Sequence, residues 1–204
     1  MSVKNKILIF GLALFHFIGV ILIYNINWIA EFSYLNLILT SLIVLSGYKL
    51  NYSNFLLLFS IYLFGFIIEL IGVKTHYLFG NYEYGNALGI KLMGVPIIIG
   101  LNWIVVIAAS YSFCSTFIKN KSALIVTSAI AATMMDVFIE PVAIKYGFWS
   151  WENNIIPIFN FICWFIFSLL FSLIYSKLQK PYNIVNFYLF IIWLAFFLAL
   201  NIIS

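Results

Sequence analysis

Apolar residues fill this chain in long blocks separated by short polar segments. Runs near the length of a bilayer span, about 20 mostly apolar residues, fall near 7–24, 32–48, 54–73, 92–113, 122–144, 157–176 and 184–202. Most separators are brief, such as "YKLNYS" and "IKNKS". Two are longer, rich in aromatics and marked by Gly or Pro signals: residues 74–91 and 145–156. This pattern predicts an all-α polytopic membrane protein, a bundle of about seven transmembrane helices forming a single integral membrane domain over 1–204.

Composition sharpens that reading. The chain is 65% hydrophobic, 20% aromatic and only 8% charged. A soluble domain carries roughly a quarter charged residues, so this one cannot cover a water-facing surface. Its ten basic residues are all lysine and stand singly or in pairs between apolar blocks, which argues against nucleic-acid binding. The first block has a basic tip but no small-residue cleavage site, so a retained first helix is expected.

Lysine placement orients the bundle. With the N-terminus in the cytoplasm, Lys4, Lys6, Lys49, Lys119, Lys121, Lys177 and Lys180 lie inside, and Lys74, Lys91 and Lys145 outside. The expected localisation is therefore the inner membrane, N-terminus cytoplasmic and C-terminus outside, with both aromatic loops on the outer side.

Those loops belong to a faint repeat. "GVPIIIGLNW" (94–103) and "IIPIFNFICW" (155–164) each place a Trp seven residues after a Pro, and each follows an aromatic loop and a helix ending in acid. The repeat units are the helix–loop–helix segments 54–113 and 122–176, related by roughly sixty residues.

Carboxylates are the residues most in need of explanation. "MMDVFIEP" sets Asp136 and Glu140 four apart, on one face of a helix that otherwise carries no acid. Glu69, in "GFIIELIGVKT", falls at comparable depth on the third helix. An acid at mid-helix costs roughly 2.5–3.5 kcal/mol on insertion scales, less near the ends. One reading pairs these acids with Lys74 and Lys145 as interfacial ion pairs. The other makes Asp136, Glu140 and Glu69 an acid–base site, since neighbouring carboxyls in low dielectric share a proton rather than both ionising. Asp136 begins deeper and is the expected proton donor, with Glu140 or Glu69 activating water.

Aromatic residues of the loops, Tyr82 and Tyr84 with Trp149 and Trp151, could form an interfacial belt. Together with Trp103 and Trp164 they could instead wall a substrate pocket above the acids. Desolvated rings there stabilise a developing carbocation by roughly 1–2 kcal/mol each. Asn102 and Asn160 are polar groups within helices four and six, suited to interhelical hydrogen bonding or to binding substrate or water. His16 reads as a satisfied core histidine, and Cys114 and Cys163 as small core residues. No H-x-x-x-H pair or Cys cluster signals a metal, and no nucleotide or flavin motif is present.

Residues 65–165 carry a resemblance. E-x-x-G-V, F-G-x-Y-x-Y-G, L-G-x-K-L-x-G-V-P, N-W and D-x-x-x-E-P, as they stand in "IIELIGVKTHYLFGNYEYGNALGIKLMGVPIIIGLNW" and "DVFIEPVAIKYGFWSWENNIIPIFNFICW", resemble the membrane-embedded bacterial and archaeal carotenoid biosynthesis family. Characterised members of that family are carotenoid 1,2-hydratases, including the bisanhydrobacterioruberin hydratase type. The resemblance implies a cofactor-independent hydratase that takes a carotenoid substrate from the lipid bilayer. It would protonate C2 of the terminal trisubstituted alkene at a ψ-end and let water capture the tertiary cation at C1.

Two other functions share these features. A membrane lycopene cyclase begins with the same protonation, and a small proton-coupled transporter also uses intramembrane acids. The acids cluster at one end with no polar chain across the membrane, which counts against transport. A retinal photoreceptor is excluded, because the final helix has no lysine for a Schiff base.

Overall fold

The computed structural model describes residues 1–49 and 51–203. Seven helices run through it: α1 (Val3–Asn25), α2 (Ser33–Leu45), α3 (Tyr52–Thr75), α4 (Ile99–Ser115), α5 (Lys121–Lys145), α6 (Ile158–Tyr175) and α7 (Ile184–Ile203). A 3-10 turn over Asn27–Phe32 leads into α2, and with it six segments are long and apolar enough to cross a bilayer. The polar separators act as helix starts. Ser2, Asn51 and Asn120 accept hydrogen bonds from the backbone N–H groups of Asn5, Asn54 and Ala123, satisfying donors that an apolar first turn leaves open.

The fourth helix departs from the sequence expectation. It begins at Ile99 rather than at 92, because residues 91–96 turn back on themselves. β2 (Lys91–Leu92) pairs with β3 (Val95–Pro96) across Met93 and Gly94, whose φ angles of 54° and 94° suit a tight hairpin turn. The shortened α4 is the hub of the bundle: it packs against α2, α3, α5, α6 and α7 and is buried along nearly its whole length.

One end of the bundle is stapled by polar side chains. Tyr48 and Tyr175 share a hydrogen bond, Asn186 Nδ2 donates to Tyr48 Oη at 2.6 Å, and Tyr175 Oη donates to the Pro181 carbonyl at 2.9 Å.

At the other end the two aromatic loops meet in a sheet pairing the hydropathy pattern did not predict. β1 (Tyr82–Tyr84) runs antiparallel to β4 (Trp149–Trp151), with Tyr82 opposite Trp151 and Tyr84 opposite Trp149. "YEY" and "WSW" alternate as a half-buried strand must: the four rings are buried and Glu83 and Ser150 are exposed. A lone two-stranded ribbon is marginal in water; this one rests its aromatic face on the bundle. Each of the segments α3–β1–α4 and α5–β4–α6 therefore supplies one strand to a shared cap.

Because the strands pair, the ends of both loops share one side of the bundle, and exposed Asn86 and Asn153 lie there. We expect cysteines placed singly at these two positions to react with a membrane-impermeant maleimide in intact cells. Reaction only after lysis would reverse the N-in orientation, and opposite behaviour of the two sites is incompatible with the ribbon.

Candidate active site

Beneath the ribbon, α3 and α5 each bring a buried carboxyl to the same place. Glu69 accepts hydrogen bonds at Oε2 from the hydroxyls of Tyr82 (2.5 Å) and Tyr84 (2.7 Å), and at Oε1 from the indole N–H of Trp103 (3.1 Å). Glu140 accepts at Oε2 from the indoles of Trp149 (2.9 Å) and Trp151 (2.8 Å), and at Oε1 from Asn160 Nδ2 (3.0 Å). The two sets correspond: two donors from a strand on one oxygen, one donor from the following helix on the other. A carboxylate has about four acceptor sites, so each glutamate keeps one open place, on Oε1. Burial and the adjacent Glu69 carboxylate push the Tyr82 and Tyr84 hydroxyls well above the ordinary tyrosine range, so both remain donors.

Asp136 lies one turn down α5 from Glu140. Its Oδ2 accepts from the same Asn160 amide at 3.0 Å, while Oδ1 is buried with no partner among the described residues. The acids thus hold tyrosine, tryptophan and asparagine donors, and the lysines at 74 and 145 lie exposed.

Between these groups is a chamber of about 20 Å³, lined by Glu69, Glu140, Asn102, Asn160 and the rings of Phe79, Tyr82, Tyr84, Trp149, Trp151 and Trp164. A single water needs roughly 10–15 Å³ on this scale. Next to it runs an apolar groove of about 280 Å³ between α1, α2 and α7. Ile99, Asn102, Trp149 and Trp164 line both spaces and form the threshold between them.

Most residues expected at the site converge here, with two differences. Trp103 does not line either space. Gly65 gives its indole room against α3, and the ring stacks behind Trp164 at a centroid distance of 4.3 Å, with its N–H on Glu69. Asp136, the expected direct donor, is also absent from the chamber wall, which the Asn160 amide bonded to it occupies.

The groove was not legible in the sequence, since most of its wall comes from apolar residues of α1, α2 and α7. His16 is in that wall, and its environment fits a satisfied core histidine: Nδ1 donates to the Leu12 carbonyl at 2.8 Å and Nε2 accepts from Trp193 Nε1 at 3.0 Å.

Known proteins resemble this chain in a consistent way. Residues 30–203 match a family model described as "Carotenoid biosynthesis protein", well beyond the motif core at 65–165. The bisanhydrobacterioruberin hydratase of Haloarcula japonica is 30% identical over 102 residues, covering 48% of this chain and 35% of that protein. No solved structure matches the chain.

Proposed function

Given a chain that belongs to the carotenoid biosynthesis protein family, we propose that it is a carotenoid hydratase adding water to the acyclic end of its substrate. The observation that carries this reading is a water-sized chamber between two carboxyls, opening onto an apolar groove. The groove is at the small end of ligand-site volumes. It therefore houses one end of a carotenoid and leaves the rest of the polyene in lipid.

In this mechanism the terminal alkene crosses the threshold at Trp149 and Trp164. Glu140 and Asp136, a turn apart and bridged by Asn160, act as one acid pair, with Glu140 presenting the proton at the chamber. The alkene π electrons take that proton, forming a C2–H bond as the acid O–H bond breaks, and C1 becomes a tertiary cation. The ring faces of Trp149 and Trp164 stabilise it. Water attacks C1 through an oxygen lone pair, and the resulting oxonium gives a proton to the open Oε1 position of Glu69. That proton returns to the acid pair, so one water is added and no other reactant is consumed. Asp136 supports its part through geometry: its unpartnered Oδ1 can carry a proton without breaking a hydrogen bond.

A cyclase would use the same protonation and have a second alkene capture the cation. The carboxyl and amide groups in the chamber wall favour water as the nucleophile, and the product decides. Expressed in cells that accumulate lycopene, the chain should yield pigment heavier by one or two waters with the polyene chromophore essentially unchanged. Pigment isomeric with lycopene and carrying a β-ring would replace this reading with cyclisation.

A further inference from the structure

Asn102 and Asn160 both border the chamber, yet they are used differently. The Asn160 amide is committed to Asp136 and Glu140. The Asn102 side chain, in the first turn of α4, has no hydrogen-bond partner among the described residues. Among the described residues it is also the one amide shared by the chamber and the groove, set between Ile99, Trp149 and Trp164. Asn102 is half-buried there, and an amide without a partner among such neighbours is costly. Leucine would fit such an apolar wall without that cost.

We propose that Asn102 is the water-positioning residue of this site, holding the attacking water at the threshold and thereby deciding that the cation is captured by water. The inference rests on the hydratase reading. A water in the chamber has two hydrogens to place and must leave an oxygen lone pair aimed at C1. Glu69 Oε1 has room for one hydrogen, and Asn102 Oδ1 takes the other. The remaining lone pair then faces the groove, where the alkene end arrives. Without the amide, protonation by the acid pair is unaffected, but the cation meets no oriented nucleophile. It returns to alkene by losing a carbon-bound proton to a carboxylate, which balances the step and leaves the carotene unhydrated.

The test compares wild type with Asn102→Leu in membranes supplied with lycopene in D₂O, reading hydrated product and deuterium in the recovered carotene by mass. In the variant, hydration should fall at least about tenfold, while deuterium uptake into unhydrated carotene persists or rises. The variant should melt at the same or a higher temperature in detergent, because it loses an unpaired amide; a residue needed only for packing would shift both readouts the other way. Asn102→Ala, smaller and without an acceptor, repeats the comparison should the leucine variant fail to accumulate. Hydration at the wild-type rate overturns the proposal, as does parallel loss of hydration and deuterium uptake. A wild-type chain that never hydrates lycopene or γ-carotene removes the hydratase reading and this inference with it.

Discussion

Glu140→Gln should reduce carotenoid hydration about a hundredfold or more, the contribution expected of a general acid, while the protein still accumulates in the membrane. The local hydrogen bonding explains why the fold should survive. Trp149 and Trp151 both donate to Oε2, and the amide oxygen of a glutamine can accept both. Its NH₂ then faces the Asn160 amide, donor against donor, until Asn160 turns its oxygen toward it. That rotation points the same oxygen at Asp136, which can donate if it carries a proton. The variant is thus a nearly isosteric site that cannot deliver a proton at the chamber wall. Asp136→Asn should produce a loss of the same order. Product formation by mass, normalised to protein in the membrane, measures both. Wild-type rates in the two variants would make these acids structural and end the proposed mechanism.

Gly85→Ala should be the most damaging small change outside the acids, affecting folding rather than chemistry. A Cβ at Gly85 would lie 1.9 Å from the backbone oxygen of Gly147, and Gly147 itself has a φ of 67°. Gly85 N also donates to the Phe148 carbonyl at 2.9 Å, just beyond the ribbon pairing. Nothing at this contact is a flexible side-chain tip, so the two loops must separate. Overpacking typically costs 1–3 kcal/mol and occasionally more. Here it would also pull four indole and hydroxyl donors away from Glu69 and Glu140. Membrane accumulation and melting temperature in detergent should both fall clearly. Gly11→Ala is the matched control: nothing lies within 4 Å of its Cβ position, and alanine in a helix is favoured over glycine by roughly 0.5–1 kcal/mol. Equal behaviour of the two variants would show that the loop contact is not tight.

The helices were legible because a bilayer demands apolar length, and the separators were legible because they begin helices with Ser or Asn. The ribbon was not, although "YEY" and "WSW" carry a strand's alternation. Three residues are too few to distinguish from an interfacial belt, and their pairing partner is over sixty positions away. The acid cluster was legible from its cost in lipid. Which of its members faces a cavity was not, since that depends on how Asn160 and Gly65 place neighbouring groups. The late start of α4 was not legible either, because Lys91 to Pro96 is apolar enough to pass as helix, and only the Met93–Gly94 turn reveals otherwise. The groove had no signal at all: an apolar wall facing an empty space and one facing a neighbouring helix use the same letters.

The paired arrangement of donors around Glu69 and Glu140 also bears on how the chain enters the bilayer. Among the described residues, every side chain that hydrogen-bonds Glu69 comes from residues up to 103, and every one that hydrogen-bonds Glu140 comes from residues 149–160. Each helical hairpin brings from the ribosome the groups that solvate its own acid. The first can shelter its carboxyl before the second has been synthesised, and the second needs nothing from the first but the strand that closes the cap. A nascent chain built this way can shelter each glutamate within its own hairpin, without waiting for the other hairpin to arrive.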